Sequence, residues 1–173
     1  EMRVGHMFYV HIMAMARIGR PILLGVGDVN ELTAKLALYR DTMIASGFSE
    51  IETKSSLAES WVQQWMYVAT SDKEAEEDGL LAFQSEREHI RKGREELNPA
   101  NYPETIPTPS PDHAKLEHSL IAGSPNRVLE RVSMLREAGV QNLLLGMTPT
   151  SLPREKVATS MQLFAEKVIP EFR

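Results

Sequence analysis

The sequence predicts an α/β protein built on parallel strands. Two runs, Pro21–Val26 (PILLGV) and Asn142–Met147 (NLLLGM), are apolar on both sides of a strand. Strands that are apolar on both faces are typical of parallel sheets covered by helices. Stretches with helical spacing of apolar residues adjoin both runs, so strand and helix alternate along the chain.

The first predicted unit is a strand that turns into a capped helix. Gly27 turns the chain after Pro21–Val26, and Asp28 to Glu31 (DVNE) has the pattern of a capping box. Apolar residues then recur at helical spacing as far as Ile44, which predicts a helix that ends near Gly47.

A second unit begins with the aromatic run Trp65–Ala69 (WMYVA), which we interpret as a strand. Ser71 or Asp72 then caps a long, charged helix that runs towards Leu97. Near the start of the chain, Met2–Gly5 is a further candidate strand.

The last units are a capped helix, a strand and a final helix. Ser124 is a candidate N-cap with Pro125 at the first helical position, and Gly139 suits the left-handed residue that ends this helix before the strand Asn142–Met147. The final helix is predicted over Pro153–Ile169. Its expected buried face consists of Val157, Met161, Phe164, Ala165 and Val168.

A proline-rich segment, Asn98–Pro111 (NPANYPETIPTPSP), interrupts the pattern of one domain over residues 1–173. It holds five of the ten prolines, which exclude a helix or an interior strand. We expect an irregular surface linker that is the first site of limited proteolysis, or else a lid on the substrate side.

Composition excludes several classes of function. The net charge of −5 argues against a broad nucleic-acid interface, and the absence of cysteine excludes disulfides and thiolate metal sites. No apolar run approaches the roughly 20 residues of a membrane span, so we expect a cytoplasmic protein.

Four segments together resemble the bacterial-luciferase-like flavin-dependent monooxygenases. They are ARIGRPILLGVGDVNELTAKLALYRDTM, MYVATSDKEAEEDG, AGSPNRVLERVSMLREAGVQNLLLGM and LPREKVATSMQLFAEKVIPEFR, in this order between Ala16 and Arg173. The resemblance implies a (β/α)8 TIM barrel, whose active site lies at the carboxyl ends of the strands. Since such a barrel takes about 250 residues, the chain corresponds to its last three to four βα units, the C-terminal half.

The resemblance also implies a cofactor and candidate residues. It implies reduced FMN, supplied by NAD(P)H, and O₂ for oxygenating a small organic substrate, with Gly25, Val26, Gly27, Gly146 and Met147 beside the flavin or substrate. For the glycines, the alternative is a turn that needs glycine. For the function, the alternatives are an F420-dependent hydride transfer in the same fold and a non-catalytic flavin-binding or interaction protein. We leave the catalytic residues unassigned.

The expected phosphate turn has no serine or threonine. The corresponding segment, Gly5–Ala16 (GHMFYVHIMAMA), contains no Ser or Thr, with His11 near the position of a phosphate-binding serine, so we expect weak FMN binding. We also expect exposed apolar strand residues that favour a homodimer or pairing with an N-terminal half.

Other polar and aromatic residues have simpler interpretations. His113 and His118 miss the spacing of a helical metal pair, so no metal is expected, and His6 and His89 are expected to be packed or solvated. Trp61, Trp65 and Tyr67 alternate as strand neighbours do, so core packing is favoured over stacking on a flat ring.

Overall fold

The computed structural model describes residues 3–97 and 120–172, and side chains from residue 9 onward apart from that of residue 94. The proline-rich segment and the two histidines that follow it, His113 and His118, lie outside the described residues. The elements in chain order are α1 (Arg3–Arg17), β1 (Leu23–Leu24), α2 (Val29–Ala45), α3 (Glu50–Ala58), β2 (Trp61–Val68), α4 (Asp72–Leu97), β3 (Leu120–Gly123), α5 (Pro125–Glu137), β4 (Asn142–Gly146), α6 (Arg154–Lys167) and a final 3-10 turn (Ile169–Phe172).

The strands confirm the predicted α/β class. β1 pairs with β2 in parallel, and β2 pairs with β3 in parallel, while β4 also pairs with β2. The predicted strand at Pro21–Val26 is reduced to its two central residues, and the strand predicted at Trp65–Ala69 begins four residues earlier, at Trp61.

The chain divides into two compact units, Glu1–Gln64 with Ser133–Leu144, and Trp65–Val132 with Leu145–Arg173. In the first unit, α1 and α3 both pack on α2. The buried apolar residues of this unit include Leu24, Leu32, Leu36, Tyr39, Met43, Val62, Leu135 and Val140.

Three predicted helix ends of the first unit are confirmed. Asp28 caps α2 by accepting a hydrogen bond from the Glu31 amide at 2.9 Å, and Gly47 follows the helix with a φ of 92°. Gly139 has a φ of 95°, and the Val140 amide donates back to the Leu135 carbonyl, as expected for a left-handed helix end.

A buried hydrogen-bond network fixes α2, α3 and the start of β1 in the first unit. The Tyr39 hydroxyl lies 2.6 Å from Ser56 Oγ and donates to the Arg20 carbonyl at 2.7 Å. Ser60 Oγ donates to the Ser56 carbonyl and accepts from the Ile22 amide. Burial raises the pKa of the Tyr39 phenol, an effect that the hydrogen bond with Ser56 partly offsets.

In the second unit, α4 packs on β3 and covers one face of the sheet. Its core joins Tyr67 and Leu120 to Phe83 of α4, and Trp65 meets Phe83 edge to face with ring centroids 4.9 Å apart. Trp65 and Tyr67 therefore pack in the core, as favoured from the sequence. The same unit also contains a hydrogen bond between β2 and α6, in which Ser160 Oγ accepts from the Val68 amide at 2.8 Å.

Three predictions about the elements were wrong in whole or in part. The candidate strand Met2–Gly5 is helical from Arg3 onward, where α1 begins, and the apolar stretch through Ala16 belongs to the same helix. The face proposed for the last helix is confirmed at Val168, which is buried, and in part at Val157 and Phe164, which are half-buried. Met161 and Ala165 are exposed instead, and Ser160 is buried. The hydrogen bond that Ser160 makes to β2 explains why a polar residue is buried there.

The third is burial of the strands on both faces, which is wrong, whereas the prediction of exposed apolar strand residues is confirmed. Leu23 is 59% exposed and Leu144 is 47% exposed, although Leu24 is buried. Leu23 is the Cα partner of Trp61, which is 46% exposed, so both project from the same face of the sheet. This face of the first unit is therefore apolar and open to solvent.

Candidate functional site

The turn after β1 lies at the carboxyl end of a parallel strand, where ligands bind in α/β sheets. Gly25 is exposed, and neither Gly25 nor Gly27 has a positive φ. A Cβ at Gly25 would meet nothing within 4 Å. Neither the backbone conformation nor a neighbouring atom thus requires glycine at Gly25, which leaves room for a flat group beside Val26, a half-buried residue.

Gly27 has a packing reason rather than a conformational one. A Cβ there would lie 3.0 Å from Glu31 Oε2 and 3.6 Å from Leu32 Cγ. Glu31 is held in place by an ion pair with Lys35, at 2.6 Å between Oε1 and Nζ. The interpretation of Gly27 as a turn that needs a left-handed glycine is replaced by close contact with α2.

Gln64 anchors this turn, and the sequence interpretation missed it. Its side-chain Nε2 donates to the Gly27 carbonyl at 2.9 Å. Gln64 is only 1% exposed, on the buried face of β2 with Val62 and Met66, and its Oε1 has no hydrogen-bond partner in the part of the chain that the structure describes. The sequence signal that could have identified it is a polar residue among the alternate residues Val62, Gln64 and Met66, of which the other two are apolar.

Gly146 and Met147 belong to the second unit, whereas Gly25, Val26 and Gly27 belong to the first. A Cβ at Gly146 would overlap the six-membered ring of Trp65. Glycine at this position therefore has a packing reason within the chain. Met147 is 9% exposed and directly follows β4.

The loop after β4 is tied to α4. Glu86 accepts from both the amide and the hydroxyl of Thr150, at 3.1 and 2.6 Å, and the hydroxyl contact contributes most to lowering the pKa of Glu86. The Ser151 hydroxyl donates to the Ala82 carbonyl. These bonds hold the segment that follows Met147 against the outer helix.

Two helix starts that could bind a phosphate, those of α2 and α5, are already occupied by carboxylates of the chain. The amide of Ser124, before α5, donates to Asp72 Oδ1 at 2.7 Å, and this bond lowers the pKa of Asp72. Arg127, in the first turn of α5, forms an ion pair with Glu76. At α2, Asp28 accepts from the helix amide. An anionic group would therefore compete with carboxylates at these termini.

A second ionic cluster, in the second unit, joins Tyr67 to α4 and α6. Lys156 of α6 forms an ion pair with Asp78 of α4, and the Tyr67 hydroxyl donates to the same carboxylate at 3.5 Å. Burial is the largest cause of the raised pKa of Tyr67, and the Asp78 charge adds to it. Because the phenol is protonated and both charged partners are half-buried and paired with each other, we interpret the cluster as a tie between helices.

Two further histidines of the sequence analysis lie at the surface. His11 and His89 are both exposed. Over residues 3–97 and 120–172 no group of three His, Cys, Asp or Glu side chains could hold a metal, and no described helix is long and apolar enough to cross a membrane. The segment Gly5–Ala16, where the resemblance places a phosphate turn, lies within α1.

Comparison with solved structures identifies proteins of the same fold. The monooxygenase RslO1 from Streptomyces bottropensis superposes with a TM-score of 0.67 and 23% identity, over 95% of this chain and 46% of that chain. The oxygenating constituent of 3,6-diketocamphane monooxygenase from Pseudomonas putida, a type II Baeyer-Villiger monooxygenase solved with FMN, gives a TM-score of 0.59 and 17% identity, over 92% and 45% of the two chains.

A third structure has a different cofactor. The coenzyme F420 dependent tetrahydromethanopterin reductase from Methanopyrus kandleri superposes with a TM-score of 0.59 and 16% identity, over 95% of this chain and 49% of that chain. No protein-family model and no curated protein matches the sequence. The chain spans about half the length of these solved structures, and over that half it shares the fold of two monooxygenases and a reductase.

Proposed function

We propose that the chain is part of a flavin-dependent monooxygenase that uses reduced FMN and O₂ to oxygenate a small organic substrate. The observation that carries this proposal is the β1 turn at the carboxyl end of a parallel strand, where Gly25 is open and the buried amide of Gln64 holds the Gly27 carbonyl. The likeness in fold to two monooxygenases supports the class of reaction.

The residues of the turn suit a flat ring. Gly25 permits close approach of a planar group, Val26 offers an apolar surface, and the Gly27 carbonyl is fixed by Gln64. Gly146 and Met147, at the end of β4, are separate candidates, and Trp65 fills the space beside Gly146. Bound flavin, reduced by NAD(P)H, would supply the electrons for O₂ activation, while the residues of the β1 turn would position the ring.

Two alternatives have specific support. A hydride transfer with F420 is favoured by the likeness to the F420 dependent reductase. A non-catalytic flavin-binding or interaction protein is favoured by Asp72 and Asp28, which occupy helix termini that could otherwise hold a phosphate. For the same reason we expect the chain to bind FMN more weakly than micromolar.

The apolar face formed by Leu23 and Trp61 supports a partner. Leaving such side chains exposed forgoes roughly 1.5–3 kcal/mol each. We propose that a second copy, or chain equivalent to the other half of the barrel, covers this face.

Titration with FMN and with F420, read by ligand fluorescence, tests the cofactor, and NAD(P)H and O₂ consumption by the loaded protein tests turnover. The monooxygenase proposal expects FMN binding and substrate-dependent O₂ uptake. Binding of F420 alone would select the hydride-transfer alternative, and flavin binding without turnover would select the binding protein. Absence of binding to either cofactor at millimolar concentration would refute the monooxygenase, the hydride transfer and flavin binding, and would leave the interaction protein.

A further inference from the structure

Gln64 has a side chain whose orientation is settled by one contact. The Gly27 carbonyl can only accept a hydrogen bond, so the atom that lies 2.9 Å from it must be the nitrogen, Nε2. The position of Oε1 follows, and that oxygen is a buried acceptor without a partner among the described residues.

An unpaired buried acceptor is uncommon in folded proteins and needs an explanation. Gln63, the next residue, is half-buried and lies on the opposite face of β2, so the strand carries a closely matched residue without this feature. Gln64 instead adjoins the turn proposed to hold the cofactor ring. Its carboxamide thus combines a structural contact, from Nε2 to the Gly27 carbonyl, with an enclosed acceptor, Oε1, on the same group.

We propose that Gln64 Oε1 accepts a hydrogen bond from the imide N–H of the isoalloxazine or deazaisoalloxazine ring, an inference that rests on the proposed function. The pyrimidinedione part of either ring carries one N–H between two carbonyls. Only the N–H can pair with Oε1, because a carbonyl oxygen would repel it. Gln64 would therefore recognise the imide N–H, a group that FMN and F420 share.

Access to Oε1 requires movement of the β1 turn, since this oxygen is enclosed in the folded chain. Gly25 and Gly27 give the turn the backbone freedom for that movement. The Nε2 contact to the Gly27 carbonyl couples the turn to Gln64, so we expect ligand binding to alter the environment of both groups.

A pair of ligands and a pair of variants test this contact. FMN and N3-methyl-FMN, which lacks the imide N–H, are titrated into wild type, Gln64→Met and the matched control Gln63→Met, with binding measured by fluorescence. We expect N3-methylation to weaken binding to wild type and Gln63→Met by about five- to tenfold, and to have no effect on Gln64→Met.

An equal loss of affinity on N3-methylation in all three proteins would overturn the inference while leaving the proposed function intact. Wild type that binds neither FMN nor F420 would refute both the inference and the proposed function. The side-chain amide resonance of Gln64 in ¹⁵N-labelled wild type gives a readout that does not depend on the folding of a variant. It should shift with FMN and shift less with N3-methyl-FMN, and no shift under saturating FMN would contradict the contact.

Discussion

Gly146 packs directly against an indole ring, which makes Gly146→Ala a sharp test of packing in the second unit. The added Cβ would overlap the six-membered ring of Trp65 and lie 3.0 Å from its Cδ2. The indole cannot simply swing away, because it meets Phe83 edge to face at 4.9 Å between centroids. The substitution must therefore displace a packed ring or the backbone of β4.

The expected cost follows from overpacking of a core. Such insertions destabilise proteins by about 1–3 kcal/mol. For a chain of this length each kcal/mol lowers Tm by roughly 2–4 °C, so the fall should be about 2–12 °C. Gly25→Ala is the matched control: its Cβ meets nothing within 4 Å and its φ is not positive, so Tm should stay the same or rise slightly.

Thermal unfolding followed by tryptophan fluorescence and far-UV circular dichroism measures both variants. A Gly146→Ala protein with the Tm of wild type would refute the packing argument and restore ligand clearance as the reason for this glycine. A Gly25→Ala protein destabilised as strongly as Gly146→Ala would show that the β1 turn is packed rather than open.

Four further outcomes are expected. Tyr39→Phe should lower the free energy of unfolding in urea by about 1–2 kcal/mol at neutral pH. The pKa of Tyr39 in the folded chain is raised above 10, so its stabilising contribution is present below pH 10 and is lost as pH rises through the folded pKa. The difference in stability between the variant and wild type should therefore shrink at high pH. Because the pKa of Glu86 is lowered in the folded chain, its contribution to stability is present above pH 4.5 and is lost as pH falls through the folded pKa. Glu86→Gln should therefore flatten the acid limb of a profile of Tm against pH. An unchanged acid limb would contradict the bond to Thr150. Asn142→Ala removes an amide that donates to two backbone carbonyls at 2.7 and 2.9 Å, and should lower the urea midpoint by the equivalent of about 1–2 kcal/mol; an unaltered midpoint would rule out this tie. Trp61→Lys should shift the mass measured by light scattering towards monomer, and an assembly state that does not respond would place the partner surface elsewhere.

Helix ends were predictable because local chemistry dictates them. Asp28 and Gly139 each have a role set by a few neighbouring residues, an N-terminal amide acceptor and a left-handed backbone, and both were confirmed. Helix α3 was missed because its sequence, EIETKSSLA, lacks apolar periodicity. Its available signal was the capping box of Ser49 and Glu52, which the structure contains with both bonds formed.

Tertiary contacts explain the other misses. β3 has only four residues, too short for a period to be recognised, and owes its place to pairing with Trp65 through Val68. The apolar start of the chain is helical although part of it was taken as a strand, since a short apolar run is compatible with either. The roles of Gln64 and Gly146 depend on residues 37 and 81 positions away in the sequence, Gly27 and Trp65, which no local pattern reveals.

The central claim is that the ring of a flavin or deazaflavin binds at the β1 turn. Amide chemical shifts of the ¹⁵N-labelled chain, followed during titration with FMN and with F420, test it most directly. We expect the largest shifts at Gly25, Val26 and Gly27, with the side-chain amide of Gln64 shifting over the same concentration range. Shifts confined to residues outside this turn, with Gly25 and Gln64 unaffected at saturation, would contradict it.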